Sequence, residues 1–330
     1  MSPTRLFHFR NAPKSDSSKP LLGSLGPILF FILAFSFLAY KLLAFNHYTE
    51  FITHWKQMPL SQFWWLAAVF ALLPANWFLE SIKWKMLTAH VQKISFRTSI
   101  KAVLGGASTG FITPNRVGEM VGRVMFLDSE NRKAGVTLSV LNSLTQSLIM
   151  TLCGVPACIL FLTLTGVKIE INKTLYLIIM FLCLLILGAI YFRLPQLSQR
   201  FKRSRFSEKV KAFTDFLTNY NWKDLLRIMV VSLSRYFVFS LQFFLMLRFF
   251  GIELTGWQAL IAIPTTYLFV TFTPSLAFSE VAVRSSYAVL VIGAFSGQVV
   301  SIVLAGVGIW MVNFVIPVLA GSVILLKKNS

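Results

Sequence analysis

The sequence is poor in the residues that build metal sites, disulfide frameworks and many catalytic centres. Its 330 residues include only 3 Cys, 4 His and 12 Asp or Glu. The cysteines lie in apolar segments without the paired spacing of zinc ligands or disulfides, and the histidines lie in polar flanks. We therefore expect no metal, haem or iron–sulfur cofactor.

Charge is also scarce, and most of it has one sign. Charged residues make up 13% of the chain and hydrophobic residues 56%, with 32 Phe and a mean hydropathy of +0.70. A soluble domain could not bury this much apolar surface, so the composition predicts a polytopic membrane protein. The net charge of +19 does not indicate a nucleic-acid partner, because Lys and Arg cluster in short loops between apolar runs.

Six apolar runs are long enough to cross a bilayer as helices. They lie at about 21–45, 62–81, 136–165, 174–192, 224–249 and 298–325. Residues 1–20 form a polar, basic tail, and the first run lacks a small-residue cleavage site, so we expect a retained span. We predict an all-α polytopic membrane protein with about six transmembrane helices, in which residues 21–330 form a single membrane domain.

Two further apolar runs, at about 102–113 and 257–272, are too short for a simple crossing. A helix rises about 1.5 Å per residue, and the hydrocarbon core is about 30 Å thick. Each run ends in a Thr-Pro pair, which is typical of a helix start because Thr caps free N–H groups and Pro loses no hydrogen bond there. The pairs are Thr113-Pro114 and Thr273-Pro274. We therefore predict two re-entrant hairpins that turn at these pairs.

A Glu and an Arg four residues apart follow each Thr-Pro pair. They are Glu119 with Arg123 in the first copy and Glu280 with Arg284 in the second. This spacing puts Glu and Arg on one helix face, and Arg116 is expected to share that face in the first copy. The Pro-to-Glu spacing is five residues in the first copy and six in the second, so the pattern indicates an imperfect internal repeat.

The distribution of Lys and Arg predicts the orientation. Placing the tail, residues 82–133, residues 193–227 and the C-terminus in the cytoplasm assigns 24 of the 31 Lys and Arg to that side. The two hairpins then dip into the membrane from opposite faces. The halves, about 61–166 and 222–326, are therefore expected to form an inverted-topology repeat.

A strongly basic segment, residues 193–222, joins the two halves. Apolar residues recur there at helical spacing, at Phe206, Val210, Phe213 and Leu217. This pattern predicts an amphipathic helix on the surface of an anionic leaflet. A solvated linker is the alternative interpretation.

These motifs resemble the membrane domain of the lysylphosphatidylglycerol synthase/flippase family over roughly residues 60–325. The stretches that carry the resemblance are Lys83-Trp84-Lys85-Met86-Leu87, Pro114-x-Arg116-x-Gly118-Glu119-x-x-x-Arg123, and the segment from Pro274 to Glu280. The resemblance implies a multi-pass protein of the bacterial cytoplasmic membrane that moves a lipid or lipid-linked headgroup between leaflets. The aminoacyl-transfer domain of the bifunctional members has no counterpart in these 330 residues, so we expect no synthesis of an aminoacyl lipid and a transporter rather than an enzyme.

We expect a hydrophilic cleft between the hairpins that binds a lipid with an anionic or zwitterionic headgroup. Guanidinium groups match phosphate oxygens, so Arg116, Arg123 and Arg284 are predicted to bind the phosphate. Glu119 and Glu280 would hold these arginines, bind a cationic headgroup or take up a proton. The turn residues Thr113, Pro114, Thr273 and Pro274 complete the predicted substrate site.

Other interpretations stay open. The Glu–Arg pairs could be structural ion pairs that lock each hairpin to the bundle. The protein could be a non-catalytic partner subunit of a lipid- or glycan-modifying enzyme, or a homo-oligomer. A membrane-embedded transferase or hydrolase would need a nucleophile or metal constellation, which the spans lack. Arg235 is as compatible with snorkelling as with function, and Asn76, Glu80 and Gln146 are typical inter-helix hydrogen-bond partners.

Overall fold

The computed structural model describes residues 48–56, 58–111, 113, 116–166, 173–203, 215–275 and 277–329, together with Ser36, Tyr40 and Leu43. Across these ranges the protein is helical and has no β-strand. The predicted basic tail, nearly all of the predicted first span, Pro114 and the residues Phe206, Val210 and Phe213 of the basic segment lie outside the described residues.

Twelve α-helices follow one another in the described ranges. They are α1 (Tyr48–Lys56), α2 (Phe63–Thr88), α3 (Phe96–Phe111), α4 (Gly118–Val124), α5 (Arg132–Leu164), α6 (Lys173–Phe192), α7 (Leu194–Arg203), α8 (Trp222–Phe249), α9 (Gly256–Phe272), α10 (Ala277–Ile292), α11 (Val299–Trp310) and α12 (Ile316–Asn329). A π-helical turn, Met311–Val315, joins α11 to α12.

Four helical stretches are long and apolar enough to cross a membrane. They are Leu60–Thr88, Ser129–Leu164, Trp222–Phe249 and Val299–Lys327. A fifth candidate consists of Leu177–Phe192 and Leu194–Arg200, which are bent by 63° at a break at Arg193, two residues before Pro195. These stretches match the five predicted spans after the first, and they confirm an all-α polytopic membrane fold.

The two predicted short runs are helices α3, with 16 residues, and α9, with 17 residues. At about 1.5 Å per residue each is only about 25 Å long. After a short turn, α4 packs back along α3, and α10 packs back along α9. We call α3–α4 the first hairpin and α9–α10 the second hairpin.

The first hairpin is closed by glycines that let the backbones of α3 and α4 touch. A Cβ added to Gly122 would lie 2.2 Å from Thr109 Oγ1 and 2.7 Å from the carbonyl oxygen of Gly105. A Cβ on Gly118 would lie 2.3 Å from the carbonyl oxygen of Thr109. This close approach fixes α4, and therefore its charged side chains, against α3.

The predicted halves, about 61–166 and 222–326, contact each other through several pairs of helices. Helix α2 packs along α8, and each short helix packs on the long helix of the other half: α3 on α12, and α9 on α5. One apolar cluster centres on α8 to α11, and a second surrounds the fully buried Trp84 of α2. This exchange of partners brings the turns of both hairpins into the same region.

Candidate functional site

A cavity of about 560 Å³ lies between the turns of the two hairpins. Its volume falls within the range of about 300 to 1,000 Å³ that is common for ligand sites. Arg116 lines it from the first hairpin, and Thr273, Pro274, Glu280 and Arg284 line it from the second. The cavity is therefore built at the place where the repeated motifs meet.

Glu280 joins the two hairpins by accepting from two arginines. Its Oε2 is 2.7 Å from an Nη of Arg116, and its Oε1 is 2.9 Å from an Nη of Arg284. Glu280 lies in the first turn of α10, where a negative charge is favoured, and Arg284 follows one turn later. The Arg116 guanidinium also stacks over the ring of Phe314, 4.1 Å from its centre. The ion pair across the hairpins was not expected, because the sequence pattern paired each Glu with the Arg of its own helix.

Arg116 adopts a left-handed backbone conformation, with φ of 57°. For a residue with a Cβ this conformation costs roughly 1 to 2 kcal/mol. Helix α4 begins only at Gly118, whose N–H donates to Thr113 Oγ1 at 2.7 Å. The prediction that Arg116, Glu119 and Arg123 share one helix face is therefore wrong. Arg116 precedes the helix by two residues, so helical spacing does not set its direction, and it pairs with Glu280 instead.

A second cluster lies behind the cavity and centres on Glu80 of α2. Its carboxylate is 3.0 Å from Lys83 Nζ, 2.6 Å from an Nη of Arg123 and 3.0 Å from an Nη of Arg235. Asn142 Nδ2 donates a further hydrogen bond to it at 2.8 Å. The side chain of Glu80 is only 1% exposed. It therefore anchors α4, α5 and α8 to α2, a larger role than the single inter-helix hydrogen bond expected from the sequence.

Arg123 of this cluster also pairs with Glu119, one turn earlier on α4. Both residues were predicted to share the substrate site with Arg116, yet neither lines the cavity. Thr113 caps the turn and does not line the cavity either. Of the predicted site residues, Arg116, Thr273, Pro274, Glu280 and Arg284 line the cavity, whereas Thr113, Glu119 and Arg123 do not.

Arg235 connects the two regions, since it pairs with Glu80 and also lines the cavity. Its Nε donates to Asn76 Oδ1 at 2.8 Å, and Asn76 Nδ2 donates to Asn313 Oδ1 at 2.7 Å. Asn313 lies in the π-helical turn, a feature that recurs at functional sites. Arg235 is in the middle of α8, which is why its charge is paired inside the bundle rather than extended to the membrane surface.

The two regions together carry an excess of positive charge. Among the residues described, the carboxylates are Glu80, Glu119 and Glu280, and the paired cations are Lys83, Arg116, Arg123, Arg235 and Arg284. Five cations against three carboxylates leave an excess of two. In surroundings of low polarity an unbalanced charge is costly, and an anionic ligand would reduce this imbalance.

Of the comparisons with known proteins, the one against family models identified a family. Searches against curated proteins and against solved structures gave no match. The described residues contain no group of three or more His, Cys, Asp or Glu that could hold a metal ion. A family model described as the lysylphosphatidylglycerol synthase TM region matches residues 24–321, a stretch that includes both hairpins, the cavity and the Glu80 cluster. The chain is therefore a multi-pass membrane protein that belongs to the family of the lysylphosphatidylglycerol synthase TM region.

Proposed function

We propose that this protein moves a phosphate-bearing lipid between leaflets and does so without catalysing a chemical step. The headgroup binds in the cavity between the hairpins, while the tails stay in the bilayer. The observation that carries the proposal is the convergence of Arg116, Arg235 and Arg284 on one cavity that has a single carboxylate in its described lining, Glu280. Guanidinium groups bind phosphate through paired N–H donors, and three elements of the fold supply them here.

The arrangement of the halves supports a transport role. Helices α3 and α9 are too short for a simple crossing, and the Lys and Arg distribution has the hairpins enter from opposite faces. We therefore propose that both hairpins are re-entrant and that the halves form an inverted-topology repeat. In secondary transporters this design puts the substrate between the repeats, near the middle of the membrane.

The bridge between the hairpins suggests how the cavity opens. Arg116 and Arg284 share the Glu280 carboxylate, one oxygen each, and Arg116 is 39% exposed. A phosphate that binds Arg116 would take the place of the Glu280 oxygen and remove a contact that joins the hairpins. Occupancy of the cavity would thus be coupled to separation of the hairpins, as a substrate-dependent change requires.

The basic segment that follows α6 supports an anionic membrane as the setting. Helix α7 carries Arg200, Lys202 and Arg203 within its ten residues. Such a helix next to a span binds anionic headgroups at the cytoplasmic surface. We propose that this segment increases the local concentration of anionic lipids near the cavity.

The test is translocation of labelled phospholipid and labelled polyprenyl phosphate in proteoliposomes. Each variant would be compared with wild type at equal folded protein, and the variants are Glu119→Gln, Glu280→Gln and Arg284→Gln. Arg227→Gln is the matched control, because Arg227 is 70% exposed and lies outside the cavity. We expect loss of translocation in the two cavity variants, Glu280→Gln and Arg284→Gln, and no change in the control.

Other outcomes would redirect the proposal. Full activity in Glu280→Gln and Arg284→Gln would leave the ion pairs with a purely structural role. If wild type moved no lipid tested, the protein would be better explained as a partner subunit of a lipid- or glycan-modifying enzyme. Loss in Glu119→Gln as well would show that the Glu80 cluster and the cavity act as one unit.

A further inference from the structure

The described lining of the cavity offers no free carboxylate oxygen. Glu280 is its only acidic residue, and each of its two oxygens accepts from a different arginine, Arg116 and Arg284. The next carboxylate, Glu80, lies behind Arg235 and is enclosed by Lys83 and Arg123 as well. A headgroup ammonium would therefore meet guanidinium groups without a carboxylate to balance it.

The rest of the polar lining consists of amides and hydroxyl groups. Asn76, Gln146 and Asn313 supply amides, and Tyr267 and Thr271 supply hydroxyl oxygens. Gln146 Oε1 faces Arg235 at 3.5 Å and Lys83 at 3.4 Å, which orients its amide so that Nε2 points elsewhere. That Nε2 has no hydrogen-bond partner among the described residues. This nitrogen is buried with almost no accessible surface, so the donors that already face the cavity are the amide and hydroxyl groups of the other residues.

Arg235 is the third cation of the cavity, and its position is set by neighbours on α2. Glu80 holds its terminal nitrogen and Asn76 holds its Nε, so the guanidinium is pre-organised before a ligand arrives. Pre-organised donors lose little conformational entropy on binding. The positive charge of Arg235 is thus held at the cavity by contacts with α2, whether or not a ligand is bound.

We propose that the cavity selects an anionic phosphate headgroup whose other polar groups are hydroxyls, as in a phosphoglycerol or phosphosugar, and rejects headgroups that carry an ammonium group. The inference rests on the proposed binding site, but it does not require transport. The guanidinium groups bind the phosphate, and the amide and hydroxyl groups bind the polyol. An aminoacylated headgroup is excluded by repulsion, because every described carboxylate near it is already paired.

The experiment measures lipid retention by the full-length protein. Wild type is purified from nanodiscs of phosphatidylcholine that contain equal amounts of phosphatidylglycerol and lysylphosphatidylglycerol, and the bound lipid is counted by native mass spectrometry. We expect phosphatidylglycerol to be retained at least about tenfold over the lysylated lipid, a difference that one charge-assisted contact can supply. Equal retention, or preference for the lysylated lipid, would overturn the inference.

Two variants test the charge argument from opposite sides. Arg235→Gln should reduce retention of phosphatidylglycerol by about tenfold or more, since it removes one charge-assisted contact. Asn313→Asp adds a carboxylate of the same shape and keeps the oxygen that accepts from Asn76, so it should raise relative retention of lysylphosphatidylglycerol. If the aspartate variant is folded and its preference is unchanged, the inference fails even where Arg235→Gln does not fold. Arg227→Gln is the control and should match wild type.

A competition experiment with a soluble ligand distinguishes a lipid headgroup from a free polyol phosphate as the ligand of the cavity. Glycerol 1-phosphate is added as competitor to lipid-loaded protein. Displacement of phosphatidylglycerol at low concentration would identify the cavity as a site for a free polyol phosphate, whereas resistance to displacement would identify the lipid. Both results keep the selectivity for anionic hydroxyl-bearing groups.

The transport assay distinguishes failure of this inference from failure of the proposed function. Selective retention of phosphatidylglycerol without any translocation would uphold the selectivity and refute transport. Equal translocation of the anionic and the lysylated lipid would uphold transport and refute the selectivity.

Discussion

In the part of the chain that the structure describes, two carboxylates are each shared by two arginines, and their surroundings differ. Glu80 is 1% exposed and is bound to Lys83 and Arg123, which are 0% and 2% exposed. Glu280 is 10% exposed and is bound to Arg116, which is 39% exposed and borders a cavity. A carboxylate paired with arginines therefore stabilises the bundle at Glu80 and borders the candidate binding site at Glu280. A fully buried pair cannot exchange its partners without a large cost, whereas a pair beside a cavity can exchange them for a ligand.

Removing the buried carboxylate should give the largest effect. Glu80→Gln leaves Lys83 and Arg235 without a negative partner inside the bundle and leaves Arg123 with Glu119 alone. We expect a loss of stability of about 3 to 5 kcal/mol, the range for breaking a buried ion pair. The measurement is thermal unfolding of the detergent-solubilised protein. The exposed Glu130→Gln on the loop before α5 is the control, and a transition as low in Glu130→Gln as in Glu80→Gln would contradict the interpretation.

Removing the carboxylate beside the cavity should affect function more than stability. Glu280 is itself buried, but its replacement releases arginines that border the cavity, so we expect Glu280→Gln to lose about 1 to 3 kcal/mol of stability, less than Glu80→Gln. Lipid translocation should nevertheless be lost, because the bridge between the hairpins is gone. A drop in stability equal to that of Glu80→Gln would show that the two clusters do not differ in the way proposed.

A substitution at Arg116, in the turn of the first hairpin, should change stability least while still reducing translocation. Arg116→Gly removes an ion pair but relieves the left-handed backbone, which costs roughly 1 to 2 kcal/mol for a residue with a Cβ. We expect these changes to offset each other within about 0.5 kcal/mol. Translocation should fall by about tenfold or more, since a phosphate contact is lost. Matched thermal unfolding and translocation assays would check both expectations, with Arg116→Ala as the variant that loses the pair and keeps the strain.

The comparison also shows which parts of the site local patterns could reveal. The Glu–Arg spacing in α10 predicted the Arg284–Glu280 pair, because both residues lie on one helix and the helix fixes their distance. The pairing of Arg116 with Glu280 joins residues 164 positions apart, and no local pattern encodes it. Arg235 and Asn313 were missed for the same reason, since each looks like an isolated polar residue in an apolar span. The position of Arg235 in its predicted span left snorkelling and function equally open.

The sequence by itself determined the membrane setting, the spans within the described residues and the two helices that are too short for a simple crossing. These features follow from apolar length and from the positions of Thr-Pro pairs and charges, which act locally along the chain. The tertiary structure alone decided that α4 begins at Gly118, that Glu80 gathers three cations, and that the turns of both hairpins share one cavity. The physical reason is that a charge in a low-polarity interior must find a partner wherever packing supplies one, and packing joins residues that are far apart in the chain.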